Sequence, residues 1–409
     1  MRTRALRSTR PAHRRTAAAA ALLMLSAGLA ACSSTSTPDD DASPDGPGDA
    51  PGASQAVQVE PVRLKTSFTD ARSVPIDAPV TVSTEGGDLS DVRITSAAGP
   101  VEGRVEGGTW TSTSLLEPGT DYRISASATR SDGEAVERTR AFHTVDLTLD
   151  QQTYPSIAPL DGETVGVGMP VVVTFDVPVT DRALFEKHMN VISTPAQKGS
   201  WYWLSDNEAH FRPVRYWKAG TDVSVDLDLN SLPAGNGIYG QEDRQLSFHV
   251  GDAHVYKVNA QTHRMQVFSN GELLRTLPIT TGKPGFTTRS GVKVIMEKFE
   301  TRRMNSETVG INRNSPEAYD IDDVRWAMRV TYSGEFIHAA PWSEGSQGYA
   351  NVSHGCTGLS TADAGWLYAM TRRGDVVEYT GTDRPMTLEN GYGDWNLAPA
   401  AWKQGSALS

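Results

Sequence analysis

Between residues 57 and 250 the sequence repeats itself, and the repeat length fixes the kind of unit it builds. Pro118-Gly119-Thr120-Asp121-Tyr122 is echoed by Ala219-Gly220-Thr221-Asp222-Val223. Phe142-His143 is echoed by Phe248-His249, and Pro79-Val80-Thr81-Val82 by Pro170-Val171-Val172-Val173. Each offset is roughly one hundred residues, the length of an immunoglobulin-like sandwich. Within each copy, short runs such as Tyr122–Ala126 and Val171–Phe175 are bounded by Gly, Pro, Asp and Asn. Runs of this length and turn spacing read as strands, and no stretch of helical length and period competes. Two tandem sandwiches are expected, at 57–147 and 148–250. Trp201 and Trp203 fall on one face of a strand and read as packing residues rather than a ligand platform.

After Gly251 the texture changes. His254–Val258 and Arg264–Phe268 read as strands, and Asn270-Gly271 is a type I′ hairpin signal leading into Leu273–Leu277. A Gly/Pro/Thr-rich loop from Thr280 to Gly291 follows, then a strand at Val292–Met296. Residues 361–373 read as a helix with Ala364, Leu367, Tyr368 and Met370 inward and Gly374 as its stop. Asp375–Tyr379 closes the sheet. The third unit is expected at 251–380. Trp395, Leu397 and Trp402 make the 381–409 tail one that docks, here expected on that unit.

The N-terminus reads as an export signal. Arg2, Arg4, Arg7, Arg10, Arg14 and Arg15 precede an apolar run from Ala17 to Gly28 that is short for a membrane span. Leu29-Ala30-Ala31-Cys32 resembles a bacterial lipobox, so 1–31 is expected to be removed and Cys32 lipidated. From Ser33 to Ala56 there is no large apolar side chain, and 32–56 reads as a disordered tether from the lipidated cysteine. Formal net charge is −11, and loss of 1–31 would remove six arginines and no acid. Electrostatic binding to nucleic acid or an anionic membrane is therefore not expected; the membrane contact would be the lipid alone. The expected location is the outer face of the cell membrane, on the wall side.

With Cys32 assigned to lipid, Cys356 is left as the one thiol of the mature chain. It sits in Ser353-His354-Gly355-Cys356, fourteen residues or so after His338, which ends the strand Phe336-Ile337-His338. A free thiol has pKa ~8.5 and needs a base to become a nucleophile. An imidazole supplies that base by holding a thiolate–imidazolium pair, and a glycine before the cysteine lets the backbone approach a carbonyl. The neighbours of Cys356 are Ser, His, Gly and Thr, not those of a buried structural thiol. A zinc site would have one cysteine and no nearby carboxylate.

This motif resembles the L,D-transpeptidase catalytic domain, the YkuD family, over about 252–380. The sandwich pair and tryptophan-bearing tail resemble its actinobacterial members. The resemblance implies a mainly β chain, peptidoglycan stem peptides as substrate, and no metal or organic cofactor. It implies Cys356 as nucleophile, His338 as base with its other ring nitrogen on the Ala339 carbonyl, and His354 shaping the site. The N–H groups of Gly355 and Cys356 would form the oxyanion hole, with Ser353 in the same loop. Tyr319 would lie over the donor, Met304 and Trp342 line the cleft, and Ser333-Gly334 offer a strand edge to the stem peptide. Gly358 stands where the family often has an asparagine that contacts substrate and orders the loop. Carbapenem-type β-lactams are implied as covalent inhibitors. Loops 298–320 and 341–352 are expected to shield a thioester from water.

Two alternatives keep the chain but change its role, one an L,D-carboxypeptidase with water as acceptor, the other a non-catalytic wall-binding lipoprotein. A papain-like peptidase usually has cysteine before histidine, the reverse of the order here. His143 and His249 read as structural, and Asp320, Asp322 and Asp323 as a solvated loop rather than a calcium site.

Overall fold

The computed structural model describes residues 60–409; the leader, Cys32 and the tether to residue 56 lie outside them. Among the described residues no helix is long and apolar enough to cross a membrane. The architecture is mainly β. In the first sandwich, strands Arg63–Thr66, Thr81–Glu85, Thr109–Ser112 and Gly103–Glu106 form one sheet. Gly99–Val101, Gly87–Ser96, Asp121–Arg130 and Ala135–His143 form the other. Val82, Ile94, Trp110, Ile124 and Phe142 fill the space between them.

The second sandwich repeats the plan. Val171–Phe175 and Gly199–Ser205 flank Glu208–Pro213 in one sheet, and Asp222–Leu227 pairs with Arg244–Val250 in the other. The sequence repeat now has a cause. Asp121 and His143 face each other across one strand pair, and Asp222 and His249 across its counterpart. Each histidine Nδ1 bonds that aspartate, at 2.8 and 2.7 Å. Trp201 and Trp203 are buried; their indole N–H groups donate to Met189 O and to Glu186 Oε2, both at 2.9 Å.

The C-terminal unit has two sheets. A five-stranded sheet runs Glu272–Pro278, Arg264–Ser269, His254–Asn259, Val376–Thr380, Gly291–Val294. Asn270 and Gly271 both have positive φ, as a two-residue I′ turn demands. The second sheet runs Glu297–Asn305, Asp320–Arg329, Phe336–Ala339, Thr357–Leu359. Tyr256, Met265, Ile295, Met328, Ile337 and Leu367 fill the core between sheets and helix.

The helix spans Thr361–Met370, three residues shorter at its end than the sequence predicts. Thr371 turns extended, and the buried Asp375 carboxylate takes the Arg372 N–H at 2.8 Å, which draws the chain out of the helix. The 298–320 segment is not a loop through its length. Glu297–Asn305 and Asp320–Arg329 form a long hairpin with its tip at 306–319. Asp320, Asp322 and Asp323 accordingly lie on a strand, beside Arg303 and Arg325. The tail packs on the second sandwich as well as on the catalytic unit. Trp402 is buried against Tyr202 and donates to Ser200 O, Arg212 donates to Leu397 O, and Asn396 bonds Val292.

Candidate active site

One parallel pairing assembles the site. Phe336–Ala339 pairs with Thr357–Leu359 so that His338 lies beside Gly358 and Ile337 beside Thr357. That register places the end of the histidine strand next to the loop carrying Cys356. Parallel neighbours need a long connection, and residues 340–356 supply it, including a 3₁₀ segment at Pro341–Ser346.

His338 is buried, and its Nδ1 donates to the Ala339 carbonyl at 2.7 Å. That bond fixes the tautomer and leaves Nε2 as the basic nitrogen. Burial holds the His338 pKa below its ordinary value, against the pull of the Ala339 carbonyl. Burial also pushes the Cys356 thiol up, to about 11. The Phe336 backbone N–H, Lys293 and Arg329 oppose that rise, and Glu335 adds to it. Both shifts favour a neutral thiol beside a neutral imidazole. Desolvation thus works against the expected thiolate–imidazolium pair in the resting cleft. The thiol instead makes a long contact with Gly334 O, 3.6 Å from Sγ.

The Ser353–Cys356 loop is held from within. Ser353 Oγ donates to Cys356 O at 2.6 Å and accepts from Gly355 N at 3.1 Å. Thr288 Oγ1 donates to Gly355 O at 2.7 Å. Gly355 has φ +124°, a backbone angle that only glycine adopts without strain. Of the two expected oxyanion donors, the Gly355 N–H is already committed to Ser353, and the Cys356 N–H has no such partner in the loop. Tyr319 adds a third candidate: burial and the nearby sulfur push its pKa to about 12, so its O–H stays a donor.

Tyr319, Met304, Trp342, His338, Ser353, His354, Cys356 and Gly358 line a common cleft of about 290 Å³. Trp342 is exposed at its rim, 5.9 Å from the His338 ring centroid. Ser333-Gly334 form the turn before the histidine strand, and only Gly334 meets the sulfur; Ser333 is pinned by Asn390 of the tail at 2.9 and 3.0 Å. Gly358 is a packing requirement. A Cβ there would stand 2.9 Å from Thr280 Cγ2 and 3.0 Å from Ala340 Cβ. Its backbone exchanges hydrogen bonds with Thr280 at 2.9 and 3.1 Å. The asparagine of the family pattern has no room here as these neighbours stand.

Sequence reasoning did not find the residues that orient His354. Its Nε2 bonds Glu317 Oε2 at 2.7 Å, and Glu317 also takes Lys283 Nζ at 2.5 Å. Those two bonds, Lys283 first, hold the Glu317 carboxyl below its usual range. Phe286 and Tyr319 flank the His354 ring at 4.7 and 5.1 Å. Nor did it find Glu335, Lys293 and Arg289, buried or nearly so behind Cys356. Nothing in their local sequence marks them, since each stands alone among unrelated neighbours. Among the described residues no cluster could hold a metal ion.

A cysteine and a tautomer-fixed histidine facing one cleft, with amide and phenol donors at hand, define a cysteine acyltransferase. Residues 71–233 match the bacterial Ig domain family, and residues 253–378 match the L,D-transpeptidase catalytic domain. L,D-transpeptidase 2 of Mycobacterium tuberculosis is 36% identical over 350 residues, covering 84% of this chain and 85% of that protein. L,D-transpeptidase 5 of the same species is 36% identical over 346 residues, covering 82% and 74%. A solved LD transpeptidase, LdtMt1, in complex with imipenem is 40% identical over 55% of this chain and 97% of its own, with TM-score 0.49. The chain belongs to the L,D-transpeptidase family, and it is an enzyme of that kind.

Proposed function

We propose that this enzyme cross-links peptidoglycan stem peptides through a thioester on Cys356. The observation that carries the assignment of roles is the shared cleft. Cys356 lies there with His338, whose Nε2 is left free by the 2.7 Å bond from Nδ1 to Ala339. The proton passes from Sγ to Nε2 as the sulfur attacks the carbonyl after the third stem residue. The oxyanion is met by the Cys356 amide and the Tyr319 hydroxyl. Loss of one such donor in comparable sites costs roughly 3 kcal/mol. The C–N bond breaks, the imidazolium returns its proton to the departing D-alanine amine, and the thioester remains. An amine of a neighbouring stem then attacks, gives its proton to His338, and releases the thiol. Ping-pong kinetics follow. The hairpin tip at 306–319 and the 341–352 segment flank this cleft and are placed to exclude water.

A carbapenem-type β-lactam offers a strained acyl carbonyl to the same sulfur. Intact mass spectrometry after incubation with a carbapenem tests the assignment: an adduct on the wild type and none on Cys356→Ser is expected. An adduct on both, or on neither, refutes it. A tetrapeptide donor with and without acceptor amine separates cross-linking from hydrolysis. The lipobox and tether support a lipid-anchored enzyme on the wall side of the membrane. Metabolic labelling with palmitate is expected on the wild type and not on Cys32→Ser; a wild type that takes up no label would overturn that location.

A further inference from the structure

Behind Cys356 lies a charged cluster that the reaction above does not use. Lys293 is completely buried and pairs with Glu335, itself 4% exposed. Arg289 reaches the other oxygen of Glu335, at 2.8 Å from Nη1 and 3.2 Å from its own N–H. The cluster carries two cations and one anion. The Lys293 ammonium also sits 3.7 Å above the Tyr379 ring, whose hydroxyl bonds Thr357 Oγ1 at 2.8 Å, next to the nucleophile. Glu335 lies between Gly334, whose carbonyl meets the sulfur, and Phe336, and a Cβ on Gly355 would be 3.6 Å from its Cγ. Thus the cluster backs both chain segments that hold Cys356.

Stability alone gives no reason for this arrangement, because apolar replacements of buried ion pairs are often neutral or stabilising. We propose that the Arg289–Glu335–Lys293 cluster sets how readily Cys356 Sγ takes negative charge during attack, with Lys293 assisting, Glu335 opposing, and Arg289 muting Glu335 through their ion pair. Neither Lys293 nor Glu335 touches substrate; both are positioning residues that act through the sulfur. Glu335 pushes the thiol up and Lys293, then Arg329, pull it down, which agrees in sign with the roles given to Glu335 and Lys293. The other charged or titratable groups around the sulfur are His338, Tyr319, Tyr379 and the His354–Glu317–Lys283 chain; Arg329 is paired with Glu297 at 2.6 Å. Burial holds Lys293 down to about 8, so its support fades as pH rises through that value.

This inference rests on Cys356 being the reacting sulfur, and its test reads the thiol without any transpeptidase assay. The full chain is treated with iodoacetamide between pH 6 and 9, and alkylation of the Cys356 peptide is followed by mass spectrometry. Lys293→Met brings the cluster to zero net charge and is expected to slow alkylation about tenfold at pH 7, the equivalent of one pH unit. It also removes the bend near pH 8 that lysine deprotonation puts in the wild-type profile. Adding Glu335→Gln restores the net charge to that of the wild type, and the double variant is expected to recover most of the rate. Arg289→Gln makes the same net-charge change at a partly exposed position, so it carries the test if Lys293→Met does not fold. An unchanged rate in the variants that lose a cation, or a double variant as slow as Lys293→Met, overturns the proposal.

Discussion

Replacing His210 by Gln removes one member of a buried pair that ties the tail to the second sandwich. His210 is 1% exposed, and its Nδ1 meets Asp394 at 2.7 Å while its Nε2 meets Glu208 at 2.8 Å. Burial pushes its pKa down, but the two carboxylates outweigh that and set it at about 9, against 6.5 ordinarily. The difference corresponds to about 3 kcal/mol of folding stability. Because the folded value is the higher one, that contribution is fully present below about pH 6.5. It is lost progressively as pH rises through 9. Thermal unfolding of the wild type at pH 6.5 and pH 10 should therefore show a fall beyond that of His210→Gln over the same range. For a cooperative unit of 150–250 residues, about 3 kcal/mol is roughly 6–12 °C in Tm. At pH 6.5 the variant should itself lose about 3–5 kcal/mol, since the fully buried Asp394 is left without its cation. Parallel Tm–pH curves for the two proteins, or a cost below about 1 kcal/mol at pH 6.5, would refute the reasoning.

Four further outcomes follow from the site. His338→Gln should lower the acylation rate by roughly 10²–10⁴-fold. In the wild type the acid-side fall in rate should be centred below His338's ordinary pKa of 6.5, because burial depresses that value; an acid-side fall centred above pH 7 contradicts the assignment. Gly358→Asn should cost about 1–3 kcal/mol and slow acylation, because its Cβ meets Thr280 and Ala340; an unchanged Tm would show that the cleft wall gives way freely. Asn390→Ala frees the Ser333-Gly334 turn of two hydrogen bonds to the tail, and kcat/KM for a peptide donor should drop about fivefold, the effect of one net hydrogen bond. Equal kcat/KM in variant and wild type would mean the turn is held well enough by Thr331, whose Oγ1 lies 3.2 Å from Ser333 Oγ and accepts the Glu335 N–H at 2.9 Å.

Much of this protein is visible in the order of its residues. The repeated Asp and His of the two sandwiches are a cross-strand pair, so the echo in the sequence is the echo of a contact. Asn270-Gly271 sets its hairpin because both residues accept positive φ. Ser353-His354-Gly355-Cys356 and His338 bring their own chemistry, and Gly355 its own backbone angle. Such features are local, decided by side-chain type and dihedral preference within a few residues. What the fold alone decides is long-range: the parallel register that sets His338 against the Cys356 loop, the tail bridging two units, Glu317 meeting Lys283 and His354, and Lys293 meeting Glu335. The charge state of the nucleophile belongs to this second kind. A cysteine and a histidine in sequence suggest an ion pair, but only the folded cleft sets the burial that raises the thiol and lowers the imidazole.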